Sequence, residues 1–226
     1  EIIVGGAAFN QEVEQFLRHI DFPYTVGYGA TECAPIICYE DYKNFVPGSC
    51  GKAVVHMEVK VDSIDPRNIP GEILARGLNV MLGYYKNEEA TAQTLDKEGW
   101  YHTGDLGTMD EDGNLFINGR SKNMLLSANG QNIYPEEIED KLNSMPMIVE
   151  SVVVQRDSKL VGLVYPDYEE AKNMNFTPDD LKNIIEQDRQ QLNELLPAYE
   201  KIAEMEIQEE EFVKTPKKSI KRYLYR

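Results

Sequence analysis

The chain has 226 residues with 39 acidic and 23 basic side chains, a formal charge of −16, which argues against non-specific binding to nucleic acids. It carries no apolar run long enough to span a bilayer and no signal-peptide pattern, which predicts a cytoplasmic protein and leaves peripheral membrane contact open. The three cysteines, Cys33, Cys38 and Cys50, are an odd number without metal-ligand spacing and read as buried thiols in a reducing compartment.

Ile2–Val4 reads as a buried strand and Gly5-Gly6-Ala7-Ala8 as a tight turn beyond it. Because the first residue is Glu1 and the chain opens directly into this strand, the sequence reads as an excerpt of a longer protein. Asn10 is a candidate N-cap for a helix with Val13, Phe16, Leu17 and Ile20 on one face. A strand over Tyr24–Val26 then runs into Gly27-Tyr28-Gly29. Strand, turn, helix and strand in that order predict an α/β sheet, with ligand sites at the carboxyl ends of its strands. From 47 to 117 the pattern shifts to short alternating segments at Val54–Val61, Gly71–Arg76, Leu106–Met109 and Leu115–Ile117. Asp112-Gly113 is a hairpin signal between the last two. A further unit begins after Arg120, with a second hairpin signal at Asn129-Gly130. Pro135 starts a helix presenting Ile138, Leu142 and Met145, and strands follow at Ile148–Gln155 and Leu160–Val164 around Asp157-Ser158. Thr177-Pro178-Asp179-Asp180 is a helix start, continued by an apolar face of Leu181, Ile184, Ile185, Leu192 and Leu195. The expected organisation is thus an α/β portion over 1–46, a β-rich subdomain over 47–120 and a small α+β domain over 121–226.

The most informative stretch is Trp100-Tyr101-His102-Thr103-Gly104-Asp105-Leu106-Gly107, followed beyond a short hairpin by Gly119-Arg120. A carboxylate beside glycine can accept from the vicinal hydroxyls of a ribose, and a guanidinium fork suits phosphate and hydroxyl oxygens. On spacing alone, an aspartate and an arginine so placed are more often a structural ion pair. Three further segments stand in order with this one: Gly5-Gly6-Ala7-Ala8, Gly27-Tyr28-Gly29-Ala30-Thr31-Glu32, and Gly119-Arg120-Ser121-Lys122 leading into Ser127–Glu139. With Gly71–Gly77 and Val80–Tyr85, these motifs closely resemble the adenylate-forming (AMP-binding) superfamily, and within it the long-chain fatty acyl-CoA synthetases.

The resemblance implies an ATP-dependent enzyme in which a carboxylate, here a fatty acid, attacks the α-phosphate of ATP to give acyl-AMP and pyrophosphate. The thiol of coenzyme A then displaces AMP. Catalysis of this kind is positioning and charge neutralisation, without a side-chain nucleophile. By the resemblance, Tyr28 stacks on adenine, Gly6, Ala7 and Ala8 line its edge, and Gly29 belongs to the same cofactor-binding set. Thr31 contacts phosphate, and Glu32 ligates Mg²⁺, a hard cation that prefers carboxylate oxygen. Asp105 accepts from the ribose, Arg120 binds the nucleotide, Lys122 is the hinge to a mobile C-terminal domain, and Gly130 lets the chain pass close to the pantetheine tunnel. His102 reads as structural, and Met81, Tyr84 and Tyr85 as packing.

Two departures qualify this. The loop rich in Gly, Ser and Thr that holds the triphosphate in the family has no counterpart here, so the chain is expected to be inactive alone. The closing motif reads Lys214-Thr215-Pro216-Lys217-Lys218-Ser219-Ile220-Lys221-Arg222, which puts Ser219 where the family has its mobile lysine. Lys218 or Lys221 is then the candidate substitute. Two other readings stay open: an adenylation enzyme that loads a carrier-protein thiol, and a nucleotide-binding regulatory relative without adenylation.

Overall fold

The computed structural model describes residues 1–6, 9–216 and 218–225, so Ala7 and Ala8 lie outside the described residues. The chain divides into two compact units, Glu1–Lys122 and Asn123–Arg226.

In the first unit, β1 (Ile2–Val4) and β2 (Tyr24–Val26) pair in parallel, with α1 (Gln11–His19) as the crossover between them. Asn10 caps α1, its side chain accepting from the amides of Glu12 and Val13 at 2.9 and 3.0 Å. Two expectations need correction here. Ile2 and Ile3 of β1 are exposed, as are Val13 and Phe16 of α1 and Ile20 at its C-cap; the one buried residue of the helix is Glu14. β1–β2 is a two-stranded sheet in this chain, and the Glu14 carboxylate turns inward to accept from the Tyr24 phenol at 3.0 Å and the Gly48 amide at 2.9 Å.

Next come β3 (Tyr28–Gly29), β4 (Ile36–Tyr39) and β5 (Lys52–Ala53), an antiparallel sheet. A second antiparallel sheet follows the order β6 (Met57–Asp62), β7 (Gly71–Gly77), β8 (Tyr101–Met109), β9 (Leu115–Arg120), with α2 (Glu88–Thr94) between β7 and β8. Asp110 shapes the β8–β9 turn by accepting from the amides of Asp112 and Asn114. The core of the unit gathers Ile37, Ile73, Leu115 and the three free cysteines. Burial pushes the thiols up, to about 11 for Cys33 and about 12 for Cys38 and Cys50, so they stay protonated and inert at neutral pH.

The second unit starts with the hairpin of β10 (Leu125–Leu126) and β11 (Asn132–Ile133), followed by α3 (Pro135–Asn143). Its main sheet has β13 (Lys159–Pro166) in the centre, antiparallel to β12 (Ile148–Arg156) and parallel to β14 (Ile202–Ile207). The parallel pairing needs a crossover, supplied by α4 (Tyr168–Asn173) and α5 (Pro178–Leu195). Thr177 and Asp180 form a capping box that starts α5. Ile138 and Leu142 of α3, Leu163 of β13, and Ile185 and Leu192 of α5 are almost completely buried. Each such side chain contributes about 1.5–3 kcal/mol through burial.

Leu195 is exposed, against expectation, because α5 ends there and Leu196 turns into the core instead. Asp188, by contrast, sits on the inward stripe of α5 between Ile185 and Leu192. It is buried, and its Oδ2 has no hydrogen-bond partner. Burial raises its carboxyl above the usual range. A carboxyl that binds its proton more tightly folded than unfolded loses stability as pH rises from about 4 through the folded value. Asp188→Asn is therefore expected to stabilise the protein by about 1–2 kcal/mol at pH 7 and by less at pH 4, measured by urea unfolding at both.

Candidate functional site

The β8–β9 register sets Asp105 directly opposite Arg120. Asp105 is 7% exposed, and its Oδ1 accepts from Arg120 Nε at 2.8 Å. Its Oδ2 accepts from the Tyr28 phenol at 2.6 Å, a contact across 77 residues of chain. The structural ion pair and the carboxylate of the candidate clamp are thus the same group. An ionised carboxylate is acceptor-only, with about four lone-pair sites, the chemistry that a pair of hydroxyl donors requires. Burial and then the Asp105 charge hold the Tyr28 phenol above its ordinary value, which keeps it a donor. The Tyr28 ring is 8% exposed and packs with the core of the unit.

The backbone at Asp105 is held from several sides. Thr103 Oγ1 accepts from the Asp105 amide at 3.0 Å and donates to the Ile73 carbonyl at 2.7 Å. Glu72 accepts from the Gly104 amide at 3.1 Å and lies 2.9 Å from His102 Nδ1, a structural place for that histidine. The Ser121 hydroxyl donates to the Gly104 carbonyl at 3.1 Å.

Val4 accepts from the Gly27 amide at 2.8 Å, which puts the Gly5-Gly6 turn beside the segment leading to Tyr28. Gly29 has a packing reason to be glycine: a Cβ there would lie 2.1 Å from the Pro35 carbonyl oxygen. Between Gly29 and Pro35 the chain makes a tight 3-10 turn over Thr31–Cys33, with Thr31 exposed and Glu32 half-buried. Glu32 Oε1 accepts from the Tyr84 phenol at 2.8 Å. Tyr84 is thereby a site neighbour rather than packing alone, and Tyr85 is 88% exposed, which corrects its assignment to packing. Met81 is partly buried against the core of the unit.

Among the described residues no group of three or more His, Cys, Asp or Glu is arranged for a metal. A single carboxylate such as Glu32 still fits Mg²⁺, which keeps several waters and binds through one or two carboxylates plus the phosphates of a substrate. An open groove of about 610 Å³ beside α1, lined by Arg18, Phe22, Tyr24, Tyr42 and Phe45, contains none of these residues.

Lys122 is exposed and is the last residue of the first unit. Ser121 before it is tied to Gly104, and the Asn123 side-chain amide after it donates to Glu136 Oε1 at 2.6 Å. In the second unit, Gly130 is exposed with φ +79°, the left-handed conformation that the Ser127–Gln131 turn needs. The closing segment forms a hairpin in which Thr215 donates to the Ser219 carbonyl at 2.8 Å and Lys214 bridges Ile220. Lys218 is exposed at the tip of this turn with φ +62°, its amide donating to the Thr215 carbonyl at 2.8 Å. Lys221 donates its amide to the Val213 carbonyl at 2.8 Å. Ile220 packs against the Phe212 cluster and Arg222 pairs with buried Glu139, so a one-residue slip that would bring Lys218 to the position of Ser219 is blocked at two anchors.

The AMP-binding enzyme family matches residues 1–85, and its C-terminal domain matches residues 122–225. A 4-coumarate–CoA ligase from Vanilla planifolia is 37% identical over 198 residues, covering 81% of this chain and 35% of that protein. A 2-succinylbenzoate–CoA ligase from Bacillus cytotoxicus is 34% identical, over 72% of this chain and 34% of that one. The chain spans about a third of the length of these curated relatives. Among solved structures, an anthranilate CoA ligase in complex with anthranoyl-AMP superposes with a TM-score of 0.83 at 25% identity, over 99% of this chain and 43% of that one. An O-succinylbenzoate coenzyme A synthetase from Bacillus subtilis in complex with AMP gives 0.80 at 24% identity, over 100% and 45%, which speaks for the fold. No helix among the described residues is long and apolar enough to cross a membrane.

Proposed function

The chain belongs to the AMP-binding enzyme family, and we propose that it carries the ribose- and metal-facing part of an AMP-forming CoA ligase together with the closing domain. The observation that carries this reading is the placement of Asp105, a buried carboxylate held from two sides by Arg120 and Tyr28. In the proposed reaction a substrate carboxylate oxygen bonds to the α-phosphorus of ATP and pyrophosphate leaves. The sulfur of coenzyme A then bonds to the acyl carbon and AMP leaves. Asp105 would accept from the ribose hydroxyls, Arg120 would meet the nucleotide beside it, and Tyr28 would face the adenine. Gly6 and Gly29 shape the turns on the adenine side. Thr31 would donate to phosphate. Mg²⁺, when bound at Glu32, supplies charge neutralisation on phosphate oxygens. Lys122 would be the hinge, flanked by the Ser121 and Asn123 anchors, and Gly130 would approach the pantetheine arm.

The acid in this reading is aromatic rather than fatty. The curated relatives are named for coumarate and succinylbenzoate, and the superposed ligase for anthranilate, so the relatives give a long-chain fatty acid no support. The test is carboxylate-dependent ATP–pyrophosphate exchange by a protein that carries this chain, with a panel of aryl and fatty acids, followed by acyl transfer to free coenzyme A. Exchange confined to fatty acids would reverse the choice of acid. Transfer only to a carrier-protein thiol would favour the carrier-loading reading.

Ser219 favours a second reading, a regulatory relative that binds nucleotide without adenylating. A hydroxyl supplies one neutral donor where a charged one is expected. In the ligase reading Lys218, free to swing at the hairpin tip, is the substitute, with Lys221 the other candidate. Lys218→Ala is then expected to lower exchange at least about tenfold, the scale of one charged contact to phosphate. A loss of no more than a few-fold in both Lys218→Ala and Lys221→Ala would remove the substitute lysine, and nucleotide binding without exchange would establish the regulatory reading.

A further inference from the structure

The Gly77–Tyr85 segment grips the Thr31–Ile36 segment at several points. Glu32 accepts from the Met81 amide through its carbonyl at 2.7 Å. The Asn79 side-chain amide donates to the carbonyls of Cys33 at 2.6 Å and Ile36 at 3.0 Å. The Tyr84 phenol donates to Glu32 Oε1 at 2.8 Å. Tyr84 is fixed in turn, since its amide donates to Thr91 Oγ1 at 2.9 Å in α2. Across the site, the Tyr101 phenol of β8 also faces Glu32; burial first, and then the Glu32 charge, hold it above its ordinary value. Burial and the bond to Glu32 do the same for Tyr84.

We infer that Tyr84 is a positioning residue for the metal-facing carboxylate: by its bond to Oε1 it fixes the orientation in which Glu32 meets a phosphate-bound divalent cation. The inference rests on the reading of Glu32 as that carboxylate. Tyr84 does not touch nucleotide or metal. It narrows the rotamers open to the Glu32 side chain, a restraint added to the one that Tyr101 supplies. No local pattern in the sequence joins the two residues, which lie 52 positions apart.

Calorimetric titration of a protein carrying this chain with ATP, in Mg²⁺ and in chelator, and with AMP, tests this. Wild-type protein should bind ATP more tightly in Mg²⁺. Glu32→Gln should lose that increment. Tyr84→Phe should reduce it by about three- to tenfold with AMP affinity unchanged, as loss of one charge-assisted hydrogen bond predicts. Thr91→Val, which leaves both Tyr84 and Glu32 chemically intact, should shift it in the same direction by less. An increment undiminished in Tyr84→Phe while Glu32→Gln has lost it would overturn the positioning role alone. An increment retained in Glu32→Gln would overturn the reading of Glu32, and the positioning role with it. A fall in AMP affinity equal to the fall in Mg²⁺-dependent ATP affinity would show that Tyr84 only supports the fold, and would also overturn the inference.

Discussion

Asp105→Ala is expected to weaken AMP binding at least about a hundredfold. Hydrogen bonds to a charged group are worth about 1.5–3 kcal/mol each, and two ribose hydroxyls donating to one carboxylate would be lost together. The substitution also leaves the Arg120 guanidinium and the Tyr28 phenol without the acceptor they share, at 2.8 and 2.6 Å. Tyr28→Phe separates these contributions, because it removes one donor and leaves the carboxylate and Arg120 in place. A few-fold loss in Tyr28→Phe beside the large loss in Asp105→Ala is the expected pattern, read by calorimetry with AMP. Thermal melts of both variants control for folding, since Asp105 is buried. Full AMP affinity in a folded Asp105→Ala protein would reduce the Asp105–Arg120 pair to a cross-strand ion pair and remove the nucleotide reading of this site.

The same pair shows how far local sequence reaches. Asp112-Gly113 and the alternating residues on either side announce the β8–β9 hairpin, but the register near the turn would set Gly119 opposite Asp105; a bulge between Leu106 and Gly107 brings Arg120 there instead. Helix starts at Asn10, Pro135 and Thr177 were legible because capping chemistry is local. What stayed hidden depends on distant contacts. Tyr28 reaches Asp105 and Tyr84 reaches Glu32 across intervals with no periodicity to connect them. β14 went unread because Glu204 and Glu206 interrupt its apolar residues and an acidic run follows at Glu209; its place is set by pairing with β13. α1 shows the opposite failure. Its apolar stripe is real in sequence, but Val13, Phe16 and Ile20 are exposed in this chain, while Glu14 is inside, where Tyr24 and Gly48 supply donors. Periodicity identifies the face of a helix, and the partners available decide which side is buried.

Arg222→Met is expected to destabilise the second unit by about 3–5 kcal/mol, the usual result of stranding one member of a buried ion pair. Glu139 on α3 is 8% exposed; its Oε2 accepts from Arg222 at 2.6 Å and its Oε1 from the Val153 amide at 2.6 Å. Arg222 also donates to the Val153 carbonyl at 3.3 Å, so one side chain ties the end of the chain to both α3 and β12. Burial pushes the Glu139 carboxyl up to about 7 against the pull of Arg222. A carboxyl with a raised folded value favours the folded state below the ordinary carboxylate range, near pH 4, and that contribution is lost as pH rises through about 7. Removing Arg222 takes away the group that opposes this rise, so the loss between pH 5 and pH 8 should be steeper in Arg222→Met than in wild type. Urea unfolding at the two pH values measures both slopes, and the double variant Arg222→Met, Glu139→Met should recover most of the stability by removing the stranded charge. Equal slopes, or a double variant no more stable than Arg222→Met, would show that the pair is not what holds the tail. The tail matters because Lys218 and Ser219 lie in the hairpin that Ile220 and Arg222 anchor. A ligase that closes this hairpin over a nucleotide needs a fixed base for it, and on that account Arg222→Met should lower pyrophosphate exchange even at pH 5, where the unit remains folded.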